Sequence, residues 1–227
     1  MSKPRLFQSK NEQVYIYLRE AILESRLEPG VPLVIDGLAA DLGVSQIPIR
    51  EALRQLEADG FVVIEPYVGA HVTELHAASI HEIFDILEAM EVISGRAACK
   101  LLTDSDLDYL SRVIEGMRLL LDDPDAWSEQ NKHLHQTICE KAQTHLVKLS
   151  LTRALDHWDR LRRHYLTEVF ASRIKLAQQE HERLLDALRV RDPDQVEAIV
   201  REHNRASLAA YLRMLEAQGA LLKRIDQ

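Results

Sequence analysis

The sequence has 227 residues, of which 46% are hydrophobic, and its formal net charge is −8. This length fits one large domain or two small ones, and the isolated Cys99 and Cys139 form neither a metal-binding pair nor a disulfide framework. No apolar run approaches the roughly 18–20 residues of a membrane span, and the polar start lacks the hydrophobic centre of a signal peptide. These features exclude a membrane protein and predict a cytoplasmic one without a membrane partner.

The first third of the chain predicts three short helices followed by a hairpin. The helices are expected at 12–24, 36–42 and 45–58, and the strands at 62–64 and 70–73. Residues 1–75 contain 7 Lys and Arg against 11 Asp and Glu, a net charge of −4. Any contact with nucleic acid must therefore come from a local cluster of basic side chains rather than from a basic domain.

The helix at 45–58 has two contrasting faces. Its buried stripe follows the i, i+3, i+4, i+7 spacing and comprises Ile49, Ala52, Leu53 and Leu56. The opposite face carries Ile47, Arg50 and Arg54. Ser45 suits the N-cap, and Pro48 is tolerated in the first turn.

A helix that ends at Gly43, a tight turn, this two-faced helix and the hairpin together predict a winged helix-turn-helix that reads the DNA major groove. The alternative is a small helical subdomain in which Arg50 pairs with Glu57 or Glu51.

After Leu75 the apolar periodicity is helical throughout and predicts an all-α antiparallel bundle. Helix-breaking or helix-starting pairs, namely Thr-Asp, Asp-Pro and Ala171-Ser172, divide it into six predicted helices. These helices are expected at 77–102, 104–121, 124–143, 145–169, 172–190 and 193–217. We therefore expect a mainly α protein with domains at 1–75 and 76–227.

Three histidines of this second half lie in apolar stripes. His135 shares a face with Asn131, four residues earlier, while His181 and His203 each interrupt a row of aliphatic residues. A single core histidine is usually a hydrogen-bonded structural residue. Three of them on three helices favour a shared divalent ion, because burying each imidazole without a partner costs free energy.

Residues 11–74 resemble the winged-helix domain of the GntR superfamily of bacterial transcription regulators. The resemblance lies in "PGVPL" (29–33), "LAADLGVS" (38–45), "PIREALRQLEADGFV" (48–62) and "PYVGAHV" (66–72). It implies operator contacts by Ser45, Pro48, Arg50 and Gly69, with Tyr67 and His71 as neighbours on the wing.

The sequence departs from the family at Gln46 and Ile47, which stand where members usually have Arg-Thr. Glutamine pairs with adenine, and isoleucine can contact only the thymine methyl group. We therefore predict an operator that differs from the common family half-site.

Residues 77–217 resemble the helical sensor domain of the FadR-type subfamily, in which an Asp or Asn and three His hold a divalent metal. The resemblance implies that Asn131, His135, His181 and His203 are the ligands, for Zn²⁺, Ni²⁺ or Mn²⁺. Leu87 stands where the family often has an arginine for an anionic effector, and Arg160 or Arg163 could replace it.

The resulting expectation is a homodimeric repressor or activator of a palindromic operator, modulated by a small organic acid that completes the shell of the metal. Two alternatives remain open. One is a metal-dependent hydrolase, against which no Glu or Asp general base is expected beside the ligands, since Glu180 and Glu182 should point away from His181. The other has a purely structural metal, or none, and an apolar effector pocket.

Overall fold

The computed structural model describes residues 9–76 and 78–217. The chain forms two compact units that meet in sequence between Leu75 and His76. Within the described residues, no helix combines the length and the apolar character needed to cross a membrane.

The first unit is a winged helix-turn-helix. Its elements are α1 (Lys10–Leu23), β1 (Pro32–Leu33), α2 (Ile35–Leu42), α3 (Gln46–Ala58), β2 (Val62–Glu65) and β3 (Gly69–Val72). The sheet is antiparallel in the order β1-β3-β2, with Val63 opposite His71 and Pro32 on the other side of His71. The sequence did not predict β1, because two residues are too short to show an alternating pattern.

The core of this unit holds α3 rigidly against α1. Leu18 and Ile22 of α1 and Leu56 of α3 are fully buried, and Phe61 and Val72 of the wing close the cluster. Gly43 ends α2 in the left-handed conformation, with φ of 63°, which a residue with a side chain adopts less readily. The turn into α3 is therefore tight, and the outer face of α3 is fixed by packing.

The second unit consists, over its described residues, of six helices. They are α4 (Ser79–Leu101), α5 (Asp104–Arg118), α6 (Pro124–Lys141), α7 (His145–Tyr165), α8 (Thr167–Arg189) and α9 (Pro193–Ala217). Helix α4 packs against α6, α7 and α9, while α5 packs against α6 and α8. The predicted architecture, a winged helix-turn-helix followed by an all-helical domain, is confirmed.

Local capping explains three of the helix starts. Thr103 and Asp106 form a reciprocal capping box at α5. Asp123 caps α6, whose first residue is proline, and Asp192 accepts hydrogen bonds from the backbone N–H groups of residues 194 and 195 before α9.

The predicted break at Ala171-Ser172 is wrong. The chain instead leaves the helix at Leu166, which is fully buried and has φ of −126°. Ser172 lies inside α8, where its hydroxyl donates to the carbonyl oxygen of Val169 at 2.8 Å. Serine and alanine are compatible with a helix interior, whereas the actual break is set by the packing of Leu166, which no glycine or proline marks.

A pair of glycines tests the close packing of α4 against α9. A Cβ atom at Gly95 would lie 2.7 Å from Cγ1 of Val196, whereas one at Gly116 on α5 would meet nothing within 4 Å. We expect Gly95→Ala to lower the free energy of unfolding by about 1–3 kcal/mol through overpacking. The matched Gly116→Ala should raise it by up to about 1 kcal/mol through helix propensity. Urea unfolding measures both, and equal effects of the two substitutions would contradict this packing.

Candidate functional site

The outer face of α3 is open to solvent. Ile47 is 68% exposed, and Arg50 and Arg54 are exposed beside it. Within residues 9–76 and 78–217 neither arginine has a carboxylate partner. Glu57, predicted as an alternative partner of Arg50, instead accepts a hydrogen bond from the backbone N–H of Ile64 at 3.3 Å. The two guanidinium groups are therefore available to phosphate or base edges.

The start of α3 is also exposed. Ser45 is the N-cap residue by position, but its side chain makes no capping hydrogen bond. The amide of Gln46 donates to Oδ1 of Asp36 at 2.5 Å and accepts a long hydrogen bond of 3.4 Å from Nη2 of Arg50. The bond to Asp36 occupies one of the two N–H donors of this amide.

The structure corrects the assignment of Pro48 as a DNA contact. Pro48 is buried in the first turn of α3, next to the fully buried Ile49. Its role is to pack and to start the helix.

The wing presents an aromatic tip. Tyr67 is fully exposed and adopts φ of 66°, and Gly69 follows with φ of 111°. A left-handed tyrosine without contacts is conformationally costly, and such strain recurs at functional positions. His71 is half-buried in β3. The structure thus places Tyr67 at the tip and His71 within the sheet behind it.

In the second unit, α6, α8 and α9 bring His135, His181 and His203 together. One ring nitrogen of each lies within 4.8 Å of the corresponding atoms of the other two. The ring centroids are 5.0 to 6.1 Å apart. These residues are far apart in the sequence, and the bundle places them in one cluster as predicted from their positions in apolar stripes.

Two members of the predicted ligand set carry unsatisfied polar atoms. Neither ring nitrogen of His181 has a hydrogen-bond partner among the described residues, nor has Oδ1 of Asn131, although both side chains are buried. Burial lowers the pKa of His181 well below its usual value, and the neighbouring His203, His135 and Arg173 lower it further. Burial also lowers the pKa of His135. The imidazoles of His181 and His135 are thereby held neutral, which is the form that binds metals.

Two carboxylates lie beside His135 and His203, which corrects the expectation that none lies beside the ligands. Oε1 of Glu91 lies 3.2 Å from Nδ1 of His135, and Oε2 of Glu180 lies 2.6 Å from Nδ1 of His203. A carboxylate only accepts, so Nδ1 of His203 carries the hydrogen and its Nε2 presents a lone pair. This carboxylate–histidine pairing is typical of metal-binding histidines.

A cavity adjoins the cluster. It is lined by Asn131, His135, His203 and Glu91, by the polar residues Arg173, Asn204 and Ser207, and by aromatic side chains that include Phe84, Trp158 and Tyr211. The volume of the cavity is about 40 Å³. On the same measure, a cavity needs roughly 10–15 Å³ to hold one water molecule. The cavity therefore accepts a ligand of only a few heavy atoms.

The cavity arginine is Arg173, which corrects the prediction of Arg160 and Arg163. Arg160 is 2% exposed and does not line the cavity. Arg163 pairs with Asp159 at 3.0 Å and with Asp125 at 3.2 Å, both away from the cavity. Leu87 does line it, at the position where the resemblance leads one to expect arginine.

Comparison with known proteins assigns both units. The model of the bacterial regulatory proteins of the gntR family matches residues 10–72, and the FCD domain model matches residues 82–206. The chain belongs to the GntR family of transcription regulators. It is 30% identical over 206 residues to a probable D-xylose utilization operon transcriptional repressor of Paenarthrobacter nicotinovorans, covering 88% of this chain and 86% of that protein.

Other relatives agree with this family assignment. The HTH-type transcriptional repressor RspR of Escherichia coli K12 is 27% identical over 198 residues, 86% of each chain. The solved structure of E. coli McbR/YncC superposes with a TM-score of 0.75 at 22% identity, over 91% of this chain and 99% of that one, and shows the same fold.

GntR family members with an FCD domain are regulators and not enzymes, so the hydrolase alternative is not supported. In such regulators the first domain binds operator DNA and the FCD domain takes a small-molecule effector. The predicted combination of a winged helix-turn-helix domain and a helical FCD domain in a transcription regulator is confirmed.

Proposed function

We propose that this GntR regulator is a homodimeric repressor of a palindromic operator, and that a small organic acid bound at a divalent metal changes its affinity for DNA. The metal ligands are Asn131, His135, His181 and His203, and the ion is Zn²⁺, Ni²⁺ or Mn²⁺. When bound, it supplies positive charge and open coordination positions for the acid. Operator DNA as the partner places the protein in the cytoplasm.

The observation that carries this proposal is the buried cluster of three histidines with an unpartnered member. Leaving both nitrogens of His181 and Oδ1 of Asn131 unpaired costs roughly 1–3 kcal/mol for each group. One ion bound by one nitrogen of His181 and by Oδ1 of Asn131 relieves two of these three costs, and Glu180 already holds the ring of His203 in the required tautomer. The donor set thus fits a divalent metal.

The DNA contacts proposed are those of the exposed face of α3 and of the wing. Arg50 and Arg54 supply the cationic groups, Ser45, Gln46 and Ile47 supply base or phosphate contacts at the start of α3, and Tyr67, Gly69 and His71 serve the wing. Because the formal charge of the whole chain is −8, this local cluster must provide the electrostatic attraction.

The homodimer is proposed from an apolar stripe on the solvent side of α4. Ile86, Ile93 and Leu101 are 38%, 48% and 46% exposed, and Met90 and Ala97 lie between them on the same face. A row of this length on one helix is suited to an isologous contact, in which the same surface meets itself. A twofold-symmetric dimer matches a palindromic operator.

A second candidate is a sensor whose aromatic pocket takes an apolar effector without a metal, since Phe84, Trp158 and Tyr211 line the cavity. Thermal unfolding of the metal-free and Zn²⁺-loaded protein, each with and without acetate and propionate, separates the two. A metal at about 100 times its Kd stabilises by about 2.7 kcal/mol, which for this size is a shift of roughly 5–10 °C.

We expect the acids to raise the melting temperature of the metal-loaded protein and to leave that of the metal-free protein unchanged. Stabilisation by Zn²⁺ without any acid dependence would indicate a structural ion. An acid or apolar effector that stabilises the metal-free protein equally would support the metal-free pocket.

A further inference from the structure

We propose that Arg173, positioned by Glu180, binds the carboxylate of the effector, and that this effector is a short monocarboxylate. The inference rests on the proposed function and names the acid class and the residue that selects it. It begins from the side chain of Arg173, which is 7% exposed and lines the cavity. Its Nη2 donates to Oε1 and Oε2 of Glu180, each at 2.8 Å, while Nη1 has no hydrogen-bond partner among the described residues.

A guanidinium is a planar fork with donors on two sides. Here one side is occupied by Glu180, and the other, Nη1, is a buried donor without a partner among the described residues, on a side chain that lines the cavity. An anionic oxygen is the strongest available partner for such a donor. The geometry therefore fits a carboxylate that enters the cavity and accepts from Nη1.

Formal charges determine how many carboxylates the cavity takes. The charged side chains that line the cavity or contact its histidines are Arg173, Glu91 and Glu180, and together they carry −1. A divalent ion changes this sum to +1, because Asn131 stands where an aspartate would cancel it. One carboxylate then neutralises the site, whereas a second negative charge would be buried without a partner, at considerable cost.

The same charges explain why acid binding depends on the metal. Without the ion the site carries −1 and repels an anion despite Arg173. Size adds a second restriction, since the cavity accepts only a few heavy atoms. Acids of two to four carbons with a single carboxylate satisfy both limits.

Glu180 couples the two halves of the site. Its Oε2 contacts both Nδ1 of His203 and Nη2 of Arg173. Neutralising Glu180 should therefore lower the affinity for the metal and raise the affinity for the anion. A residue with a merely structural role would not change the two affinities in opposite directions.

The test uses the full chain, Zn²⁺ as the metal and propionate as the acid, with propionamide as its uncharged analogue and malonate as a dicarboxylate. Zn²⁺ affinity is measured by competition with a chelator. Acid binding is measured by tryptophan fluorescence, because the chain has 2 tryptophans and both Trp127 and Trp158 line the cavity. The variants are Arg173→Lys, which keeps the charge but loses the fork, Glu180→Gln, and Glu182→Gln as the matched control.

In the Zn²⁺-loaded protein, Arg173→Lys should weaken propionate at least tenfold and leave Zn²⁺ affinity within about threefold. Glu180→Gln should weaken Zn²⁺ by about 10–100-fold. In the metal-free protein the same Glu180→Gln should bind propionate several-fold more tightly than the wild type. Glu182→Gln, which contacts Gln178 and Arg118, should change neither affinity.

Unchanged propionate binding in the loaded Arg173→Lys protein would overturn the role of Arg173. A metal-free Glu180→Gln protein that binds propionate no better than the wild type would overturn the coupling, and tighter binding of malonate or propionamide than of propionate would overturn the acid class. Failure of the wild type to take up Zn²⁺ would instead contradict the proposed function. In that case propionate binding to metal-free Glu180→Gln and to metal-free Glu180→Gln/Arg173→Lys would decide the roles of both residues, because the gain from Glu180→Gln should be lost when Arg173 is also replaced.

Discussion

Arg50→Ala is expected to reduce operator affinity by roughly two orders of magnitude or more while leaving the fold intact. A bidentate contact from arginine to a base is worth about 1–3 kcal/mol, and a symmetric dimer loses it in both half-sites. The side chain is exposed and has no carboxylate partner among the described residues, so its removal leaves no buried charge behind. Fluorescence anisotropy on an operator fragment selected from random DNA by the wild-type protein measures the loss.

Arg26→Ala provides the matched control for Arg50→Ala. Arg26 is an exposed arginine of the same unit that pairs with Glu24, and its loss changes the net charge equally. A titration with salt separates the roles of Arg50, because loss of a phosphate contact lowers the slope of log affinity against log salt by about one for each contact removed. Operator affinity of Arg50→Ala equal to that of Arg26→Ala would contradict docking by α3.

His181→Ala is expected to weaken metal binding at least 100-fold and to abolish the response to acid, while DNA binding without acid persists. His181 is the member of the cluster whose two nitrogens both lack partners, so it contributes little to the fold without a metal. Its removal relieves an unsatisfied buried group and loses the stacking contact with Trp127, whose ring centroid lies 5.6 Å away. These effects oppose each other, and the metal-free variant should melt close to the metal-free wild type.

The matched control is His133→Ala. His133 lies on α6 next to the cluster in sequence, but it is exposed and its Nε2 lies 3.0 Å from the hydroxyl of Tyr109. Elemental analysis after dialysis against dilute Zn²⁺ should show loss of metal in His181→Ala alone. Full metal content in His181→Ala would remove this residue from the site.

Much of the fold followed from short-range signals. Ser, Thr or Asp before a helix, Asp-Pro at helix starts and the period of the apolar residues predicted the order of the helices and the winged hairpin. The break at Leu166 and the strand Pro32–Leu33 were not predictable in this way, because both depend on contacts between segments distant in sequence. Tertiary packing decides such features, and no local residue marks them.

The cluster of histidines was predictable because each lies in an apolar stripe, where a polar group requires a partner. The requirement for a partner also holds for the charged residues in apolar stripes. Glu91 stands in a row of apolar residues on α4, and Arg173 and Glu180 are seven residues apart on one face of α8. Because only the histidines were considered as buried polar residues, the sequence-based prediction did not include these three charged side chains. Their pairing across helices could not be read from the sequence, since it depends on how α4, α8 and α9 pack.

Anomalous scattering from crystals of the protein grown with Zn²⁺, recorded on both sides of the zinc edge, tests the central claim most directly. The account predicts a single strong peak in the second unit, within coordination distance of His135, His181 and His203 and of the side-chain oxygen of Asn131. Absence of anomalous density between these side chains, with the rings in the same positions at saturating Zn²⁺, would contradict it.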